Sequence, residues 1–362
     1  MSYSPHTAAD RERMLAAIGV ASVDDLFADI PVAVRATGFE LPEPLTEQEV
    51  RAELSRLAGR NRIPRISFLG AGVYRHLVPS VVSEVIGRAE FSTSYTPYQP
   101  EVSQGTLQSI YEFQSLICEL TGMEVASASH YDGATATAEA ALMACRLTGR
   151  HRVAVSTAVN PQVRRVLATY LAGPGVELVE VAADLAEGGS GLTTPEAAAA
   201  VIDDRSACLI VQQPNMFGGV EPMPELVTRA HSVGAQLVAV VEPTSLALLA
   251  APGSQGVDIV AAEGQPLGIP PSYGGPYVGI MAARMASVRQ MPGRLVGATR
   301  DGEGRKGYVL TLQAREQHIR REKAASNICT NQALCALAAT AYLSAVGPHR
   351  AAGSPPRRST GR

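Results

Sequence analysis

The sequence predicts an α/β protein built on a mostly parallel sheet with helices on both faces. Short apolar runs recur through the middle of the chain: VAVST near 153, VELVEV near 176, ACLIVQQ near 207, QLVAVVE near 236 and VDIVAAEG near 257. Helical patterns fall between them, as over Pro161 to Leu171 and Pro224 to Val233. The runs are apolar almost throughout instead of alternating, which is the signature of strands covered on both faces.

In chain order, residues 1–65 read as a charged helical arm. Asp10 stands ahead of an apolar-periodic stretch through Met14, Leu15 and Ile18. Thr46 and Glu49 have the spacing of a capping box for a helix carrying Val50, Leu54 and Leu57. Pro42 and Pro44 separate the two pieces, and such an arm suits the embrace of an oligomer better than a site. Residues 66–300 hold the alternation of strands and helices. Within them Thr106 to Thr121 is a predicted helix with Leu107, Ile110, Gln114, Ile117 and Cys118 on its inward face. A strand over Val257 to Ala262 runs into a glycine- and proline-rich turn, and a further strand follows over Tyr277 to Met281. Residues 301–348 begin a C-terminal domain and close on an apolar helix, Asn331 to Val346. The final stretch, residues 349–362, reads HRAAGSPPRRSTGR. It is basic, aperiodic and rich in Pro, Gly and Ser, and is expected to be a disordered, aberrant tail left by a frameshift or truncation.

Composition removes several function classes. With 46% hydrophobic and 18% charged residues, the 362-residue chain can bury a large core. A net charge of -3 argues against electrostatic binding of nucleic acid. No apolar run reaches the roughly 20 residues that span a bilayer, and the polar start MSYSPHTAADRERM lacks the apolar region of a secretory signal. A cytoplasmic location without membrane attachment is expected. Cys118, Cys145, Cys208, Cys329 and Cys335 show no CxxC pairing and read as buried reduced thiols; a catalytic thiolate would need a base and an electropositive setting. The seven histidines are scattered, with no HxxxH and no metal-ligand set.

In a parallel sheet ligands bind beyond the carboxyl ends of the strands, which directs attention to the loops after Gln213, Glu242 and Gly264. The third loop, EGQPLGIPPSYGGPYVG from Glu263, has the form of one that presents a Schiff-base lysine in aldehyde-cofactor enzymes. Its candidate positions here are Gln265 and Pro266, and neither can form an imine. The whole chain carries two lysines, Lys306 and Lys323, beside twenty-nine arginines. After the preceding strand, Glu242 is the carboxylate type that protonates a pyridine nitrogen, yet Pro243 follows it and marks an altered site. Asp132-Gly133 opens a helix of small residues, either as an anion-binding N-terminus or as a plain cap. In FSTSYTPYQPEVSQG from Phe91, a proline-bounded loop holds Tyr95, Tyr98 and Gln99. The two tyrosines present hydroxyls to a small polar ligand, or the loop merely caps the sheet. Arg315, His318, Arg320, Arg321 and Lys323, followed by Asn327 and Asn331, form a basic cluster. It fits phosphate or carboxylate groups across a subunit interface, or a solvated face.

Six segments in order carry a resemblance: FLGAGVYRHLVPSVV from Phe68, FSTSYTPYQPEVSQGTLQSIYEFQSLICELTGMEVASAS from Phe91, YDGATATAEAALMA from Tyr131, PNMFGGVEP from Pro214, EGQPLGIPPSYGGPYVG from Glu263 and REQHIRREKAASNICTNQAL from Arg315. Together they resemble the alpha subunit of the two-subunit glycine decarboxylase, the P-protein of the glycine cleavage system. The resemblance implies a type I pyridoxal-phosphate-dependent transferase (aspartate-aminotransferase-like) fold whose small C-terminal domain is largely missing here. It implies an alpha2beta2 heterotetramer in which the beta subunit's lysine holds pyridoxal phosphate, with Gln265 at the corresponding place in this chain. The implied reaction decarboxylates glycine and passes the aminomethyl group to the lipoyl arm of the H-protein, with functional links to the T- and L-proteins. Tyr95, Tyr98 and Gln99 are then the candidates for this chain's share of the active site, and the chain alone is expected to be inactive. Two other readings remain at this point: a truncated inactive remnant, and a self-sufficient pyridoxal-phosphate enzyme, against which the missing lysine argues.

Overall fold

A computed structural model describes residues 5–351, apart from residues 37, 39, 67, 69, 71, 93–95, 330 and 331. Tyr95, Asn331 and the expected tail from 352 onward lie outside the described residues. The chain divides into two compact units, Met1–Phe68 and Leu69–Arg362.

In the first unit α1 (Ala8–Ile18) is opened by a capping box between Thr7 and Asp10, and α2 (Glu47–Ala58) by the anticipated box between Thr46 and Glu49. The Glu49 carboxylate accepts the Thr46 amide at 2.8 Å, so each end of the box satisfies an amide that the helix leaves unpaired. No described residue of this unit is buried, and Leu54 on the apolar stripe of α2 remains 60% exposed.

In the second unit the elements run α3 (Ser80–Ile86), α4 (Gln104–Thr121), β1 (Val125–Ala126), α5 (Gly133–Thr148), β2 (Arg152–Ser156), α6 (Pro161–Ala172), β3 (Glu177–Val181), α7 (Pro195–Val201), β4 (Ser206–Gln213), α8 (Met223–Ser232), β5 (Gln236–Val241), β6 (Ile259–Glu263), β7 (Gly279–Ala283), β8 (Leu295–Arg300), β9 (Lys306–Thr311), α9 (Gln317–Arg320) and α10 (Ala333–Ala351). Seven strands form one sheet in the order β1-β7-β6-β5-β4-β2-β3. The pairs from β3 through β6 are parallel, and β7 runs antiparallel to both of its neighbours. The expected strands near 257 and 277 sit about two residues further on, at β6 and β7.

The apolar runs are explained by two cores. Along β4, Leu209 and Val211 point to one core while Cys208 and Ile210 point to the other, and β5 divides Leu237 and Ala239 from Val238 and Val240 in the same way. Each residue is apolar because each face is covered. Register places Gln213 beside Val241, and Val241 beside Ala262, so β4, β5 and β6 end along one edge and offer their following loops together.

The separate hairpin β8–β9 is absent from the sequence reading, although Asp301-Gly302 between its strands is a turn signal. It docks on α4 through two glutamines that act as substitute strand neighbours. Gln104 exchanges hydrogen bonds of 2.9 Å with both backbone groups of Tyr308, and Gln114 does the same with Val296 at 2.9 and 3.0 Å. That is why a polar residue such as Gln114 lies on the buried face of α4, as its position had indicated, while Cys118 is only half-buried. α10 extends past the expected end at Val346 through a non-helical Gly347 to Ala351.

Candidate functional site

The strand-end crevice joins α5 to the turn after β6. Asp132 caps α5, accepting the Thr135 amide at 2.7 Å, which makes it the N-cap that sequence reading held as one of two options. The anion at the same helix start is the chain's own. Glu263, at the end of β6, accepts the Gly133 amide with one oxygen and the Gln265 amide with the other, both at 2.9 Å. Burial pushes its carboxyl up to about 7, because the charged form loses more hydration than these two bonds restore. The approach requires glycine: a Cβ on Gly133 would lie 2.6 Å from the Glu263 nitrogen. Gln265 is 3% exposed, and its side-chain amide donates to the Ile269 carbonyl. Glu242, after β5, turns one oxygen back to its own loop, accepting from Thr244 Oγ1 at 2.6 Å and from the Ser245 amide at 2.7 Å. Its other oxygen is buried without a partner.

This crevice does not fit pyridoxal phosphate. Glu242 keeps an acceptor of the kind a protonated pyridine uses, but Gln265, in the turn after β6, offers a buried amide in place of an amine. The first amides of α5, which could hold a phosphate, are taken by Glu263 and Asp132.

A second concavity of about 410 Å³ lies against the hairpin, walled by Tyr98, by Arg294 ahead of β8, and by residues 315–329. The Arg294 guanidinium donates to the Tyr98 hydroxyl at 3.2 Å, lies 5.5 Å from the centre of its ring, and pairs with Glu316 at 3.2 Å. Both members of that ion pair are close to nine-tenths buried. His318 meets the Tyr98 ring edge-on. Arg315 donates to the carbonyls of Met291 and Gly293, which leaves its Nε buried and unpartnered, and burial lowers the affinity of this guanidinium for its proton. The wall from 325 to 329 has no regular structure and is tied to α5: the buried Glu139 accepts the Ser326 hydroxyl at 2.8 Å, and the Tyr131 hydroxyl accepts the Cys329 amide at 3.1 Å.

Of the predicted site residues, Tyr98 lines this concavity with Arg315, His318, Arg321 and Asn327 from the basic cluster. Gln99 heads a short helical turn, Pro100–Val102, and is not part of the wall; Arg320 turns away to the Ala314 carbonyl. Sequence reading missed Arg294 and Glu263. The cysteines are all free, and burial raises the Cys118 and Cys145 thiols to about 11, far from a reactive thiolate. Among the described residues no cluster is arranged to hold a metal ion, and no helix is long and apolar enough to cross a membrane.

A mostly parallel seven-stranded sheet with helices on both faces and the loops after β4, β5 and β6 gathered at one edge is the type I pyridoxal-phosphate-dependent transferase architecture. Sphingosine-1-phosphate lyase of Burkholderia pseudomallei shares that fold, and at 16% identity only the fold, with a TM-score of 0.59 over 89% of this chain and 73% of that one. Within the class the match is specific. The family model of the glycine cleavage system P-protein matches residues 1–353. The probable glycine dehydrogenase (decarboxylating) subunit 1 of Moorella thermoacetica is 56% identical over 348 residues, covering 96% of this chain and 77% of that protein. A crystal structure of glycine decarboxylase (P-protein) in inhibitor-bound form superposes with a TM-score of 0.89 at 47% identity, over 98% of this chain and 79% of that one. The chain belongs to the P-protein family of the glycine cleavage system.

Proposed function

We propose that this chain is the alpha subunit of glycine decarboxylase, the half that does not hold the cofactor. It works with a beta subunit of the same fold whose lysine carries pyridoxal phosphate. The pair decarboxylates glycine and passes the aminomethyl group to the lipoyl arm of the H-protein, in an alpha2beta2 assembly. The observation that carries this reading is the coincidence of a family match across the chain with a cofactor crevice filled from within, by Gln265 where an imine-forming amine is needed and by Glu263 where a phosphate would bind. When bound in the partner, the cofactor supplies an electron sink for the carbanion that decarboxylation leaves. This chain supplies the Tyr98 loop with the arginine-lined concavity beside it, to position substrate in the shared site.

Two measurements test the division of labour. Borohydride reduction of the chain with pyridoxal phosphate, followed by peptide mapping, is expected to yield no specific pyridoxyl adduct at Lys306 or Lys323; a stoichiometric adduct at either overturns it. Exchange between glycine and labelled bicarbonate is expected only when the beta subunit and H-protein are present, and exchange by this chain alone would refute the requirement.

A further inference from the structure

The concavity at Tyr98 has more positive charge than its wall neutralises. Three guanidinium groups, Arg294, Arg315 and Arg321, face it with a single carboxylate, Glu316. That carboxylate is committed to Arg294 at 3.2 Å and lies 3.6 Å from the His318 ring. Arg315 is held by two main-chain carbonyls, which align it without cancelling its charge. Glu139 stands behind the wall and is engaged by Ser326, and Glu322, next to Arg321 in the chain, is exposed and does not line the concavity.

Arg321 adds an independent observation. Its backbone sits at φ 52, ψ -124, a region that costs an L residue strain. Among the described residues its guanidinium has no hydrogen-bond or ion-pair partner. Arg321, exposed and strained, lines the concavity beside the half-buried Arg315, which shares the single carboxylate Glu316 with Arg294; the wall therefore keeps positive charge for an anion that is not part of the chain. The neighbouring Tyr98 hydroxyl and the planar fork of a guanidinium match a planar oxyanion of small size.

We infer that this concavity is a carboxylate site, with Arg321 and Arg315 as its cationic walls and Tyr98 opposite, and that in the assembled enzyme it receives the carboxylate of the amino-acid substrate. The second part rests on the function proposed above; the first stands without it. Saturation-transfer NMR on the methyl protons of acetate, with the full chain at fixed ionic strength, reads the site directly. Acetate is expected to bind and to be displaced by glycine but not by methylammonium, and Arg321→Ala is expected to weaken acetate roughly tenfold, the loss of one charge-assisted contact. Equal displacement by chloride would mean general screening and overturn the site, as would undiminished acetate binding by Arg321→Ala. In the complex with its beta partner, Arg321→Ala is expected to raise the KM for glycine more than it lowers kcat. An unchanged KM beside lost acetate binding would overturn the assignment to substrate. A wild-type complex without exchange activity would fail the proposed function and leave the acetate result standing.

Discussion

Two polar regions of one domain have opposite fates. At the strand-end crevice almost every group that could meet a ligand is turned inward: Glu263 serves two backbone amides, Gln265 a carbonyl, and Asp132 the helix it caps. At the Tyr98 concavity the fold orients three guanidinium groups but supplies one lining carboxylate, Glu316, paired with Arg294, while Arg315 is held on two carbonyls. A site is closed when the chain's own groups replace the ligand's bonds. It stays open when they fix geometry and leave charge over. By this measure the family fold has kept its architecture here, while the groups left over for a ligand in the function proposed above lie at the Tyr98 concavity.

The closed crevice is the easier half to break. Gly133→Ala drives a methyl into the backbone of Glu263, at 2.6 Å from its nitrogen and 2.8 Å from its Cα, where neither neighbour is a flexible side-chain end. A loss of about 3 kcal/mol in urea unfolding is expected. Gly105→Ala in the first turn of α4, with nothing within 4 Å of the new methyl, should be neutral or slightly stabilising. A Gly133→Ala variant as stable as Gly105→Ala would mean that the Glu263 backbone yields and that the approach does not constrain this position.

Glu263 gives the same comparison a pH axis. Its carboxyl stands at about 7 in the fold against an ordinary 4.5. The folded state therefore holds this proton more tightly than the unfolded chain, so its contribution is fully present below about 4.5 and is lost as pH rises through 7. The difference in stability between the wild type and Glu263→Gln should shift by on the order of 2–4 kcal/mol between pH 4.5 and 8, against the wild type at the higher pH. A difference that does not vary with pH would show that Glu263 ionises normally and that the crevice is wetter than its burial indicates.

On the open side, Tyr98→Phe removes one hydroxyl that accepts from Arg294 at 3.2 Å on a residue 48% exposed. Stability should change by less than about 1 kcal/mol, while turnover of the assembled complex falls several-fold. Unchanged kinetics would reduce the loop to a cap on the sheet. The most local effect belongs to the arm. Thr46→Ala removes half of the capping box and should cost α2 about 1 kcal/mol, read as faster amide exchange in Glu47–Ala58 without a change in unfolding of the second unit.

How far each feature was legible follows from the range over which its cause acts. The parallel sheet was readable because covering both faces makes residues 207–211 of β4 and 237–241 of β5 apolar without a break, and that shows in a window of five residues. The caps of α2 and α5 were readable because Thr46 with Glu49, and Asp132 with Thr135, complete their bonds three residues apart. The missing lysine needed no structure, since no fold can make an imine from Gln265. The hairpin's turn signal at Asp301-Gly302 was present and passed over, and its docking had no local signature: Gln104 and Tyr308 are 204 residues apart.

By itself, then, the sequence determined the alternation of strands and helices, the family to which they belong and the chemistry the loop after β6 cannot perform. Only the tertiary structure decided that Glu263 fills the start of α5, 130 residues earlier, and that Tyr98 meets Arg294, 196 residues later. Periodicity and spacing record which side of an element faces the core. They carry no record of which distant element stands there, because that depends on the packing of the whole sheet; the closing of one site and the opening of the other are settled by such distant pairs.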